Sequence, residues 1–130
     1  MLRADSALSF AESEPTLLRG MTLDFYDPAG DSVLSILTAR EGEVAEGRRD
    51  LVARGGVVVR TAEGHRLETE ELRYDHEAGQ VVSRVFVRLT RGGSVLTGVG
   101  IESDPQLRAY RILSEVEAGV REGERILDGF

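Results

Sequence analysis

Residues 64–72 read GHRLETEEL, and two further stretches follow the same order of glycine, apolar and polar residues, GDSVLSILTA at 30–39 and GSVLTGVGI at 93–101. The central leucines of the three stretches, spaced 30 and 29 residues apart, are Leu37, Leu67 and Leu96. We interpret each stretch as a β-strand, with the clearest alternation of apolar and polar residues at Leu67 to Glu70. A motif that recurs about every thirty residues indicates one structural unit used several times.

Each repeat then passes through an acidic turn into a second apolar run, at residues 57–60, 85–88 and 112–115. A unit is therefore a pair of strands, which buries its apolar side only by packing against other units. No run of ten or more residues between 16 and 117 has the period of a helix. We expect an all-β domain over residues 16–118, a flexible lead-in at 1–15 and a tail at 119–130. The pattern alone fits a sandwich, a barrel, a jelly roll or a solenoid.

The composition supports a folded core and excludes some functions. Hydrophobic residues make up 41% of the 130-residue chain, and aromatic residues only 5%, so the core must consist of Val, Leu and Ile. The formal net charge of −7 argues against binding to nucleic acid, which requires clustered basic residues. All 16 basic residues are arginine, and cysteine is absent. No stretch approaches the roughly 20 apolar residues that span a bilayer, and no signal peptide is visible.

Alternation also assigns side chains to the two faces of each strand. We place the faces without arginine in the interior, and the residues expected there are Leu37, Ala39, Val57, Val59, Leu67, Thr69, Val85, Val87, Leu89, Val95, Thr97, Ile112 and Val116. Such an interior can accept fatty chains, which need shape and dryness more than hydrogen bonds. A closed core filled by its own side chains fits the same pattern.

The sequence offers little that points to catalysis or to a metal. His65 and His76 are the only histidines, and both fall in or beside turns. His76 stands between Asp75 and Glu77, but neighbouring polar residues in a loop are usually only solvated. No nucleophile elbow is present, and Gly98-Val99-Gly100 lacks the helix that a phosphate-binding loop requires. We expect no enzyme activity, no cofactor and no metal site.

Three stretches carry a resemblance to a known family. They are residues 20–30 (GMTLDFYDPAG), residues 53–75, which include Gly64 and Tyr74, and residues 87–110, which include GVGIESDPQL at 98–107. In order and spacing they resemble LptC, the periplasmic component of the lipopolysaccharide export system, and more broadly the OstA-like domains of its partner proteins. The resemblance covers about residues 18–118.

The resemblance implies an open, twisted β-jelly roll, a folded-over sheet whose apolar interior holds the acyl chains of lipopolysaccharide. It implies two protein partners, the inner-membrane ABC transporter upstream and an LptA-like periplasmic bridge protein downstream. It also implies a periplasmic location, associated with the inner membrane where the full-length protein carries an N-terminal anchor.

Unpaired edges of such a sheet can add strands from another module. We expect the docking edges at residues 16–25 and 111–117, with Leu23 and Phe25 at one edge and Ile112 and Ser114 at the other. Two other functions remain open at this point. One is a structural β-solenoid scaffold without a lipid ligand. The other is a carbohydrate-active domain. Carbohydrate sites usually expose aromatic residues, and the tyrosines of this chain are too few and scattered to indicate one.

Overall fold

A computed structural model describes residues 2–8, 16–44, 50–120 and 125–126. The described residues form nine strands: β1 Leu2–Leu8, β2 Thr16–Tyr26, β3 Val33–Val44, β4 Leu51–Thr61, β5 Arg66–Asp75, β6 Gln80–Arg91, β7 Ser94–Ser103, β8 Tyr110–Val120 and β9 Arg125–Ile126. Each strand pairs antiparallel with the next one along the chain, and together they make one sheet in sequence order. The predicted all-β architecture is confirmed.

The turns between strands use the residues that tight turns require. At the β2–β3 turn, the amide of Gly30 donates to the carbonyl of Asp27, and the Asp27 side chain accepts from the amide of Asp31 at 2.9 Å. At the β4–β5 turn, Gly64 donates to the carbonyl of Thr61 in the same way. Aspartate and glycine favour such turns because one bonds the following amides and the other tolerates positive φ.

The first strand was not anticipated. We expected residues 1–15 to be a flexible lead-in, but Leu2–Leu8 pairs with β2 in regular register from Leu2 opposite Leu23 to Leu8 opposite Leu17. The Arg3 guanidinium lies 3.1 Å from the carboxylate of Asp24 and ties the two strands together. The prediction was therefore wrong for residues 2–8, while residues 9–15 lie outside the described residues. At the other end, β8 runs to Val120, past the expected boundary at 118.

The sheet is bent along a line that crosses the strands near their middles. Pairing between neighbouring strands changes register between Thr38 and Glu41, Arg54 and Val57, Thr69 and Arg73, Ser83 and Phe86, and Thr97 and Val99. We call this row of irregularities the fold line. Several residues on it have positive φ, including Gly55 at 81°, Gly100 at 83° and Glu115 at 53°. Bulges bend a sheet and increase its local twist.

Side-chain contacts demonstrate that the sheet folds over along this line. Arg91 and Tyr110 flank the two ends of β7, which a straight strand of this length would hold about 33 Å apart. The Arg91 guanidinium nevertheless lies 5.1 Å from the centre of the Tyr110 ring. Opposite ends of the strands therefore meet.

Two other contacts join residues from opposite ends of the sheet. Arg108, in the β7–β8 loop, donates from Nε to the carboxylate of Glu63, in the β4–β5 turn, at 2.6 Å. The rings of Phe25 and Tyr74 meet edge to face, with their centres 4.9 Å apart. We call the line marked by these contacts and by Arg91–Tyr110 the seam. The molecule is thus a sheet folded along its middle, with its two halves facing each other and its hairpin ends meeting at the seam.

Folding changes the phase of the alternation along each strand. In β5, Leu67 and Thr69 are buried before the fold line, and Leu72 is buried after it, so the inward positions move from odd to even numbers. The bulge residue causes this change because it adds one position without turning the chain to the other face. Inward side chains of both halves then meet in one continuous core.

Candidate interior lipid site

One row of aliphatic side chains crosses the whole sheet at the same register. Successive strand pairs place these residues directly opposite one another from β1 to β8: Leu2, Leu23, Leu37, Val59, Leu67, Leu89, Leu96 and Ala118. Directly opposite residues of antiparallel strands share a face of the sheet. We call this set the aliphatic row. It forms the inner lining of one half of the folded sheet, and it contains no charged residue.

The other half supplies a second apolar layer that faces the aliphatic row. Its buried members are Leu18, Leu51, Ala53, Leu72, Val81 and Ile101, on strands from β2 to β7. Tyr74 and Tyr110 pack at the margin of this layer, next to the seam. Two aliphatic surfaces therefore face each other, and neither the aliphatic row nor the buried members of the second layer include an ionisable side chain.

The two layers are closed together in the middle strands. Leu37, Val59, Leu67 and Leu89 have no exposed surface at all, so no space large enough for a water molecule adjoins them. The lining opens on β1, at one edge of the sheet, and on β8, which the described residues of β9 pair only at Gly119 and Val120. Leu2 is 38% exposed on β1, and Val116, on the same side of β8 as Ala118, is 51% exposed. The apolar interior is thus sealed in the centre and reaches solvent at both ends.

Most of the interior residues predicted from the sequence lie where they were expected. The buried ones are Leu37, Ala39, Val57, Val59, Leu67, Thr69, Val87 and Leu89. Ile112 is partly buried and packs against the core from β8, opposite Ile101. Direct alternation within β3 to β6 was sufficient to find them.

Two predicted interior residues face outward instead. Val95 and Thr97 flank Leu96, which pairs with Leu89 in the aliphatic row, so both lie on the opposite face of β7. Thr97 pairs there with Arg88, which is exposed on β6. The residue that does belong to the aliphatic row is Leu96, as the sequence repeat with Leu37 and Leu67 had indicated. The prediction for Val95 and Thr97 was wrong because of the register of the β6–β7 turn. The turn pairs Arg91 with Ser94, and this register puts Leu96 on the inner face and its two neighbours on the outer face.

Val85 was also placed on the wrong side. Its side chain is 40% exposed and lines an outer groove together with Phe86 and Val58. The bulge between Ser83 and Phe86 interrupts the alternation on which the prediction relied. Val116 lies on the expected face, but the edge position of β8 leaves it exposed rather than buried.

Buried hydroxyl groups support the bulge in β6. Thr69 Oγ1 lies 3.1 Å from Ser83 Oγ and donates to the carbonyl of Phe86 at 2.8 Å, while Ser83 Oγ accepts from the amide of Val85. These bonds satisfy backbone groups that the interrupted ladder leaves unpaired. Thr69 therefore has a structural role in addition to its inward position.

Sequence reasoning missed several interior residues. They are Leu18, Met21, Leu51, Ala53, Leu72, Val81, Ile101 and Leu107. Most lie beyond the fold line, where the phase of the alternation has changed. Leu107 lies in a loop, where alternation gives no information. The matched positions of Leu72 and Ile101 in the repeat were the signal that could have identified these two.

The expected docking edge in β2 is not an edge. β1 pairs with β2 from Leu17 to Leu23, so Leu23 does not lie at an edge, while Phe25 lies beyond this pairing; both residues pack against the core. The prediction was wrong because β1 had been taken for a lead-in. At the other end, Arg125 and Ile126 are the described residues that pair with β8, opposite Val120 and Gly119. Within the described chain, the stretch of β8 that contains Ile112 and Ser114 has a strand partner on one side only.

The polar groups near the histidines are engaged in local structure. His76 Nδ1 lies 3.2 Å from the hydroxyl of Tyr74, and the His76 amide donates to Asp50. Burial raises the pKa of Tyr74, and the charge of Asp75 adds to the effect. Across the residues described, no three His, Cys, Asp or Glu side chains are grouped so as to hold a metal ion. The same residues contain no helix long and apolar enough to cross a membrane.

A comparison with solved structures supports the fold. The crystal structure of LptH from Pseudomonas aeruginosa, described as the LptA homologous periplasmic component of the conserved lipopolysaccharide transport device, is similar with a TM-score of 0.70. The two chains are 12% identical, and the similarity covers 92% of this chain and 93% of that one. The predicted open jelly roll is confirmed by this likeness.

Comparison at the level of sequence gives the family. No curated protein sequence matches the chain. The family described as "Lipopolysaccharide-assembly, LptC-related" matches residues 1–121, which include β1 to β8 and therefore the whole aliphatic row. The chain belongs to the LptC-related family of lipopolysaccharide-assembly proteins.

Proposed function

We propose that this protein is a periplasmic bridge module that binds lipopolysaccharide by its acyl chains and passes it along a line of similar β-jelly rolls. The observation that carries the proposal is the aliphatic row, which runs through every strand from β1 to β8 and is exposed on the first and the last of them. A lining that reaches both edges can continue into a neighbouring module.

The apolar lining favours a fatty chain as its ligand. Each CH₂ group moved from water into such an interior gains about 0.8 kcal/mol. No charged side chain of the aliphatic row competes with that gain. The sugars and phosphates of lipopolysaccharide would remain outside, where the surface is polar. The role of the protein is to keep acyl chains covered while they move, and the transporter supplies the energy for direction.

Strand addition would join the modules. The outer edges of β1 and β8 are the docking surfaces we propose, in place of β2. The lipid would arrive from an inner-membrane ABC transporter of lipopolysaccharide export and leave to an LptA-like bridge protein. We assign the LptA-like partner to β8, because Val116 and Ala118 expose the lining there and would continue it into the partner's interior. This places the domain in the periplasm.

Two exposed valines on opposite faces give a matched test. Val116→Arg puts a charge on the open end of the lining, whereas Val85→Arg puts the same charge on the outer face at similar exposure. We expect Val116→Arg to lower the affinity for purified lipopolysaccharide about tenfold or more, because an unpaired charge would be desolvated by the acyl chains. Val85→Arg should bind as the wild type does.

Circular dichroism and thermal unfolding would establish that both variants fold. A central position such as Val87 is less suitable, because it is fully buried and a charge there would test stability instead. Equal affinities of the two folded variants would contradict the interior site. Weakened binding in Val85→Arg alone would indicate that lipopolysaccharide binds in the outer groove beside Phe86.

A further inference from the structure

The loop that joins β7 to β8, residues 104–109, contributes to the interior in an unusual way. Its residue Leu107 has no exposed surface and belongs to the core. Every other buried hydrophobic residue of the described chain lies on a strand. We call residues 104–109 the capping loop, because it places one leucine over the interior from outside the sheet.

The backbone of Leu107 is strained. Its φ is 59°, in the left-handed region that residues with a Cβ atom rarely adopt. Such conformations persist only where the surrounding structure holds them, and they often occur in segments that move. The strained backbone and the complete burial of the side chain thus occur at the same residue.

The capping loop is also a small unit held by its own hydrogen bonds. Asp104 Oδ1 accepts from the amides of Arg108 at 2.8 Å and Ala109 at 3.1 Å, and the Asp104 carbonyl accepts from the amide of Leu107. The hydroxyl of Ser103, the last residue of β7, also donates to the Asp104 carbonyl at 2.8 Å, so the loop is anchored to the sheet at its first residue. The loop can keep its internal structure while it moves about this anchor.

Two contacts attach the loop and its neighbouring residue to the opposite side of the seam. Arg108 bonds to Glu63 at 2.6 Å, and Tyr110 lies under the guanidinium of Arg91. Both members of the ion pair are about half exposed, at 58% and 47%. Exposed ion pairs hold weakly because water competes for both partners. The seam is thus fastened by contacts that are specific but easily broken.

We propose that the capping loop is a lid on the lipid interior, in which Leu107 occupies the space of an acyl chain and withdraws when the chain enters. The lid rests on the proposed function, since it regulates access to the same interior. The closed centre of the molecule fits this role. With no water-sized space beside the central leucines, an acyl chain must displace protein atoms to enter.

Hydrogen–deuterium exchange of the full chain tests the lid without any transport assay. Glu63→Gln removes the charge of the seam pair at the surface. We expect exchange at the amides of Leu107, Arg108 and Ala109 to accelerate about two- to fivefold, as loss of an exposed ion pair allows. The matched control is Glu102→Gln, whose partner Arg111 also lies 2.6 Å away but on the neighbouring strand, not across the seam. That variant should leave exchange in the loop unchanged.

The same variants are then compared in binding. We expect lipopolysaccharide with a fluorescent group on its sugar part to associate faster with Glu63→Gln than with wild type, by a similar factor, and at the wild-type rate with Glu102→Gln. A second variant, Leu107→Ala, removes the side chain that fills the interior and should accelerate association further. Bound lipopolysaccharide should accelerate exchange at residues 107–109 in the wild type.

The outcomes separate the lid from the function on which it rests. Binding at one rate in wild type, Glu63→Gln and Leu107→Ala would overturn the lid and leave the proposed function in place. Slower exchange at residues 107–109 with lipopolysaccharide bound would also overturn it, because the loop would then stay closed over the ligand. Absence of binding in every folded variant would overturn the proposed function itself.

Discussion

At the scale of single residues, position relative to the fold line decides what a side chain does. Val57 and Leu67 lie before it and were identified by simple alternation, whereas Leu72 and Ile101 lie after it on the opposite parity. The local sequence of β5 does not indicate that the extra residue of the bulge lies at Glu70 and Glu71. The residues of the site were therefore predictable within half of each strand and not across the bulge.

The seam pair makes a prediction about protonation. The hydrogen bond from Arg108 holds the pKa of Glu63 below its usual range. Burial opposes this effect, and the charges of Arg108, His65 and Arg91 add to it. In the unfolded chain the pKa returns to about 4.3. The contribution of the pair to stability is therefore complete above that pH and is lost as the pH falls through the lower folded value.

An NMR titration of the Glu63 carboxyl carbon checks this prediction. We expect the pKa in the wild type to lie below that in Arg108→Gln, where it should return toward the ordinary value. Equal pKa values in the two proteins would show that the ion pair is absent in solution. In that case the seam would be held by the Phe25–Tyr74 and Arg91–Tyr110 contacts alone.

At the scale of elements, the repeat predicted strands and their turns but not the bend that runs across them. Turn chemistry is local, so Asp27 to Gly30 and Thr61 to Gly64 could be recognised directly. The pairing of β1 with β2 depends on partners 9 to 21 residues away and on the Arg3–Asp24 ion pair, and short polar-rich strands carry little signal of their own.

Close approach of β7 and β8 gives a prediction at the fold line. A Cβ atom added at Gly98 would contact the Ile112 side chain and lie 2.8 Å from the carbonyl oxygen of Ser114. Gly98→Ala should therefore destabilise the protein by about 1–3 kcal/mol, because the two strands must separate to admit the methyl group. Urea unfolding measures the change.

The control for that substitution is Gly93→Ala, in the β6–β7 turn, where an added Cβ meets nothing within 4 Å. Its free energy of unfolding should change by less than about 0.5 kcal/mol. Similar losses in both variants would indicate that glycine flexibility, not contact between β7 and β8, determines the stability of this region.

The edge strands make a prediction about docking. We expect an LptA-like protein to slow hydrogen–deuterium exchange along the outer edge of β8, over residues 111–117, because the added strand supplies bonding partners to exposed amides. Lipopolysaccharide alone serves as the control and should leave that edge unprotected. Protection confined to β1 would reverse the assignment of partners to edges.

At the scale of the whole molecule, the fold is a bent sheet whose apolar lining passes from β1 to β8. The fold class followed from the repeat and from composition, because aliphatic residues on alternating strands leave few other architectures. Closure of the interior could not be predicted in the same way. It depends on how closely the two halves approach each other. The seam contacts Arg108–Glu63 and Phe25–Tyr74, between residues far apart in the sequence, set this distance.

The central claim is that acyl chains lie between the two halves of the folded sheet. Site-specific photocrosslinking tests it most directly, with a photo-reactive amino acid placed at Ile112 on the inner face or at Phe86, which is 60% exposed on the outer face. After incubation with purified lipopolysaccharide and irradiation, we predict a crosslinked product from the Ile112 position and none from the Phe86 position. Crosslinking at Phe86 with none at Ile112 would contradict the interior site.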